Sequence, residues 1–130
     1  MFSADEKTIA ELRDLRECLA AVDHTEATAL GLALDGELNR RTPDLTGVLL
    51  KAADSAGRHG LALGRILMAA CCRAFCARLG ELHPGASIEV RVPPWAAVQV
   101  GFGDGPKHTR GTPPNVVEME PSTLLGLATG

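Results

Sequence analysis

The apolar positions of the first eighty residues recur at helical spacing. Ile9, Leu12, Leu15, Leu19 and Val22 fall three and four apart. They form one stripe of a helix over residues 5–22, with Glu and Arg on the other face. Ser3 with Glu6 makes a capping box at its start. A second helix is expected over residues 25–40, with Thr25 as N-cap and Leu30, Leu34 and Leu38 in a row. Gly31 and Gly36 each weaken it by roughly 1 kcal/mol relative to Ala. Thr42-Pro43-Asp44 reads as a cap followed by Pro at the first helical position, and opens a third helix to about residue 56. Gly57 and Gly60 bracket His59 and mark a break. A long fourth helix then runs to about residue 81. It is apolar on almost every face except for Arg58, Arg65 and Arg73, the pattern of a central helix. His83-Pro84-Gly85 ends it, since Pro cannot continue a helix and Gly supplies the turn.

Beyond this point the period changes to two. Ile88, Val90 and Val92 alternate with Glu89 and Arg91 over residues 87–92, a half-buried strand. Pro93-Pro94 breaks it. A second strand covers residues 95–102, Gly103-Asp104-Gly105-Pro106 turns, and residues 107–115 form a polar loop. A short third strand spans 116–119, and Pro121-Ser122 begins a last helix over 123–128. Helices come first and strands after, with short antiparallel-style connections. The expected fold class is therefore α+β: N-terminal helices followed by a small, mainly antiparallel sheet packed on a long helix.

Composition narrows the function classes. At 130 residues the chain is the size of one domain. With 45% hydrophobic and 22% charged residues it is globular rather than disordered. Trp95, three Phe and no Tyr leave the core to Ala, Leu and Val. The net charge of −3 does not favour nucleic acid as a partner. That charge is uneven. Residues 1–56 carry six basic and eleven acidic side chains, and residues 57–130 carry seven and five, so an anionic ligand is drawn mildly to the second half. Arg65, Arg73 and Arg78 interrupt the longest apolar stretch, so no stable membrane insertion is expected. Residues 1–17 are too polar for a signal peptide.

Cys18, Cys71, Cys72 and Cys76 make no framework of spaced pairs. They read as buried thiols of a protein in a reducing, cytoplasmic compartment. Cys72 and Cys76 sit one helical turn apart, but zinc would need two further ligands. Neither a metal nor another cofactor is expected. No Ser-His-Asp order, HExxH or phosphate loop is present, so no catalytic residues are assigned and a non-enzymatic role is expected.

Two segments carry a resemblance: IEVRVPPWAAVQV from Ile88, and PKHTRGTPPNVVEMEPSTLLGLATG from Pro106. Their most specific part is the block HTRGTPPN at residues 108–115. The strand, acidic turn, Leu-rich helix and Thr-Gly ending over residues 115–130 add to it. The chain resembles actinobacterial proteins of the sterol carrier family, the bacterial version of the sterol-carrier-protein-2 domain, over about residues 60–130. Residues 1–57 are read as a helical extension and residues 58–130 as the sterol-carrier-like α+β part. In the family a further helix and strand follow the Thr-Gly. This chain stops at Gly130, so it reads as truncated, or its N-terminal helices substitute for the missing cover. A strand edge left open there invites a homodimer.

The resemblance implies non-catalytic binding or carriage of a hydrophobic or amphipathic small molecule, lipid or sterol-like, in an apolar cavity between sheet and helices. Small side chains such as Gly64, Ala69, Ala70, Ala96 and Ala97 leave room for one. The expected walls are Leu67, Phe75, Val90, Val98, Val100 and Leu124. His108 and Arg110 are the expected polar anchors, in a loop where Gly111 lets backbone N–H groups approach an anion. The same loop also reads as a structural crossover, with Arg110 paired to Glu118 or Glu120. Two other roles stay open. One is a protein–protein or oligomerisation module. The other is an accessory part of a mycothiol-dependent enzyme system, although His24 and His59 are too few for a three-histidine site in the helices before residue 60.

Overall fold

The helix starts follow from acidic side chains. In the computed structural model, which describes residues 5–101 and 115–129, Asp5 is the N-cap of α1 (Glu6–Ala20). Its carboxylate accepts from the Thr8 amide at 3.4 Å and from the buried Thr8 hydroxyl at 3.1 Å. Ser3, the expected cap, lies outside the described residues. For α2 (His24–Leu38) the cap is Asp23, not Thr25, with its carboxylate accepting from the Glu26 amide at 3.1 Å. An aspartate supplies both an acceptor and a charge that the helix dipole favours. The third helix, α3 (Thr46–Arg58), starts later than Thr42-Pro43 would place it. Asp44 accepts from the Thr46 amide and hydroxyl at 3.0 and 2.7 Å, which holds the chain in a turn up to Leu45.

The break around His59 is a helix stop with a defined geometry. Gly60 has a φ of +65°, the Gly60 amide donates to the Gly57 carbonyl at 3.4 Å, and the Leu61 amide donates to Ala56 at 2.9 Å. These are the two bonds of a Schellman motif, which lays the residue after the glycine over the last turn of the helix. Leu61 is thereby set beside Ala56. Residues 61–64 are not helical, and α4 (Arg65–Leu82) begins only after Gly64.

Three strands follow: β1 (Ile88–Val92), β2 (Ala96–Val100) and β3 (Asn115–Glu118), in the order β2-β1-β3. β1 and β2 are antiparallel with Val90 opposite Val98, whereas β3 is parallel to β1 with Val117 opposite Val90. The sheet is therefore mixed, not mainly antiparallel. β3 does reverse the direction of β2, as the antiparallel-style connections imply. It docks on the far edge of β1 instead of beside β2, and that choice makes it parallel. The last helix, α5 (Pro121–Thr129), packs on α3 and α4.

α4 is the central element, in contact with α1, α3, α5 and β2. A Cβ at Gly80 would come within 2.8 Å of Val98 Cγ2, so the helix lies directly on β2. Leu12 and Leu19 of α1, Leu30 and Leu34 of α2, Leu49 of α3, Leu67 and Phe75 of α4, Val92 and Val100 of the sheet and Leu124 of α5 share one hydrophobic core. No helix among the described residues is long and apolar enough to cross a membrane.

Candidate functional site

The helix stop at Gly60 builds an apolar cleft. α3 contributes Ala53, Ala56 and Gly57 to it, and the connector contributes Leu61, Ala62 and Leu63. Met68 enters from the first turn of α4. The opposite wall is α5, through Ser122, Leu125, Gly126 and Thr129. The cleft is open on one side and holds about 340 Å³, at the small end of the roughly 300–1,000 Å³ typical of small-molecule sites. None of its lining side chains is titratable. The Thr129 hydroxyl is already committed, donating to the Leu125 carbonyl at 2.7 Å. An uncompensated charge in such a place costs far more than an apolar group gains. The cleft is suited to the uncharged part of a ligand.

The connector that floors the cleft is fixed at both ends. The Schellman bonds hold Leu61, and α1 holds the start of α4. Gly64 occupies the N-cap of α4 and has no side chain to cap with. Glu11 does it instead, its carboxylate accepting from the Ile66 amide at 3.1 Å and the Leu67 amide at 3.4 Å. Those are the second and third orphan amides of the helix, the ones a capping side chain normally satisfies.

The apolar residues singled out from the pattern lie elsewhere. Leu67, Phe75, Val90, Val100 and Leu124 are buried in the core, and Val98 is half-buried against it. The structure brings them together through α4, β1, β2 and α5, but none lines the cleft. His108 and Arg110 lie outside the described residues. Glycines, alanines and a connector, which leave no periodic hydrophobic signal, make up most of the cleft. The features of the sequence that mark this region are Gly60 after a helix and the uncharged run from Pro121 onward, and neither by itself specifies a cleft.

The nucleophilic and acidic groups in the N-terminal helices form a latch. The Ser55 hydroxyl, fully buried, donates to Glu26 Oε2 at 2.6 Å, and Arg58 Nη2 donates to the same oxygen at 2.8 Å. These two bonds, Ser55 first, hold the Glu26 carboxyl below the usual glutamate range, and the partners Glu26 and Asp54 raise Arg58. His59 Nε2 lies 3.2 Å from Asp23 Oδ2, although their geometry is not that of a hydrogen bond. Ser55 is thus bonded to a carboxylate and sealed from solvent, while His59 faces a different acid. This arrangement joins α2 to α3 and does not activate a serine.

The cysteines of α4 are buried and held in the thiol form. Burial pushes the Cys71 thiol up to about 12 and Cys72 up to about 11, and raises Cys76 as well. Cys71 Sγ donates to the Leu49 carbonyl at 3.6 Å. A protonated thiol is a poor nucleophile. Among the described residues no group of three or more His, Cys, Asp or Glu could hold a metal ion.

No curated protein matches the chain. Residues 64–130, just over half of it, match the family model described as the bacterial SCP ortholog. The match begins at the N-cap of α4 and takes in the sheet and α5, the helix that forms one wall of the cleft. By this match the chain belongs to the bacterial sterol-carrier-protein-like family.

Proposed function

We propose that the chain binds or carries, without catalysis, a hydrophobic or amphipathic small molecule of lipid kind, and that the cleft between α3 and α5 receives its apolar part. The observation that carries this reading is the cleft's lining, mostly apolar and free of titratable groups. Membership in a carrier-type family agrees with it. The core residues Leu67, Phe75, Val90, Val98, Val100 and Leu124 would meet a ligand only if the core opened, because all but Val98 are buried. His108 and Arg110 are the proposed polar anchors for a head group, and the proposed setting is the cytoplasm.

A second reading has its own observation. β3 is exposed along its whole length and, among the described residues, forms one edge of the sheet. Val117 is 44% exposed although it pairs with the buried Val90, and Val116 is 49% exposed. An apolar open edge is a template for pairing with another strand, so a homodimer through β3 is the competing role. Native mass spectrometry of the purified chain separates the two. A monomer with a co-purified mass of lipid size supports carriage. A clean dimer with no added mass replaces it with the interaction reading.

A further inference from the structure

The cleft has two walls of different origin. α5 and Met68 belong to the segment that matches the family, whereas Ala53, Ala56 and Gly57 belong to α3, outside it. On each wall one position has no side chain: Gly57 on α3 and Gly126 on α5. Neither glycine is required by the backbone, since neither has a positive φ, the only described glycines that do being Gly60 and Gly85. Neither is required by packing, since a Cβ at either would meet nothing within 4 Å. Both sit in helices, where glycine is the poorest residue after proline. The space that each leaves open is the cleft.

We propose that Gly57 and Gly126 are the specificity-determining positions of the cleft, setting how bulky an apolar group it admits. The inference rests on the reading of the cleft as the ligand site. It adds that the N-terminal helices take part in choosing the ligand through α3. Ala53 and Ala56 are buried within the core, so a larger side chain there disturbs packing. Gly57 and Gly126 are exposed, and a Cβ at either meets no neighbour.

The test uses two fluorescent probes on the full chain: cis-parinaric acid, a single slender chain, and anilinonaphthalene sulfonate, a bulkier aromatic. Gly57→Ala and Gly126→Ala keep or raise the thermal midpoint and weaken the aromatic probe more than the slender one. Gly57→Leu and Gly126→Leu weaken both, by about tenfold or more, the equivalent of about two ligand methylenes kept out of the cleft. Gly36 and Gly47 are equally unhindered, yet line no part of the cleft. Gly36→Leu and Gly47→Leu therefore bind both probes like the unsubstituted chain. Should a Leu variant not fold, its Ala counterpart reads the same preference. Leu variants that weaken both probes, beside Ala variants that affect the two probes alike, overturn the size selection and leave the cleft as the site. Uptake unchanged in the Leu variants, or reduced alike in cleft and control variants, removes the cleft reading as well. An unsubstituted chain that takes up neither probe removes both.

Discussion

Glu11 shows how one side chain can join two distant parts of a chain. It lies half-buried at the edge of the face of α1 that Thr8 and Leu12 bury, and it caps a helix that begins more than fifty residues later. Gly64 is the matching vacancy, because a Cβ there would overlap the Glu11 carboxyl group. That group is the far end of a flexible side chain, so Gly64→Ala should displace Glu11 and lose the cap without breaking the backbone. Glu11→Ala loses the same cap directly. Each substitution is expected to cost about 1 kcal/mol, the usual worth of an N-cap side chain. Because both remove one interaction, the double variant should cost about 1 kcal/mol less than the two costs added. Urea unfolding of the four proteins measures the cycle. Additive costs would mean that the carboxylate does not cap α4.

At the scale of the elements, α2 and α3 are held by charge as well as by leucines. Glu26 accepts from Ser55 and Arg58, and these contacts lower its carboxyl group in the folded chain relative to an unfolded one. Between the two values the unfolded chain binds more protons, so the stabilisation is complete above the ordinary glutamate range and drains away as pH falls through the lowered value. Glu26→Gln keeps an oxygen for Ser55 and discards the charge. The stability advantage of the native chain over this variant, from denaturation midpoints, should be constant near neutral pH and shrink below about pH 4.3. An advantage that does not change with pH would place the effect in packing. The same elements show what the sequence could tell. The 3- and 4-residue spacing of Leu12, Leu15 and Leu19 located α1, and the alternation Ile88, Val90, Val92 located β1, because burial imposes those periods. The caps at Asp23 and Leu45 were misplaced, since Thr25 and Thr42-Pro43 offer similar local chemistry and tertiary packing decides between them. The neighbour of β3 was missed for a related reason. Four residues carry a strand's period but not its partner. The cleft was the least legible, because Gly57, Gly126 and the connector at Leu61 contribute by what they lack.

The whole molecule depends on α4, and α4 depends on both halves of the chain. The family match starts at residue 64, yet the helix it starts with packs on α1 and α3, which precede the match. Ala70, Cys71 and Cys72 are all fully buried, and the Cys71 thiol donates to Leu49 of α3. Removing residues 1–57 would uncover apolar surface along much of α4. It would also leave the Ile66 and Leu67 amides without Glu11 and take away one wall of the cleft. A small domain buries too little surface to absorb such losses, since net stability is only about 5–15 kcal/mol and each large apolar side chain returned to water forfeits about 1.5–3 kcal/mol. The segment 58–130 on its own is therefore expected to lack a cooperative urea transition and a near-ultraviolet circular dichroism signal, while retaining helical far-ultraviolet signal. A sharp two-state transition in that segment would show that the N-terminal helices are an addition to a self-sufficient fold. Loss of cooperativity would show that they complete it, with the charge on Glu11 and the leucines of α1 and α3 supplying what α4, the sheet and α5 cannot bury among themselves.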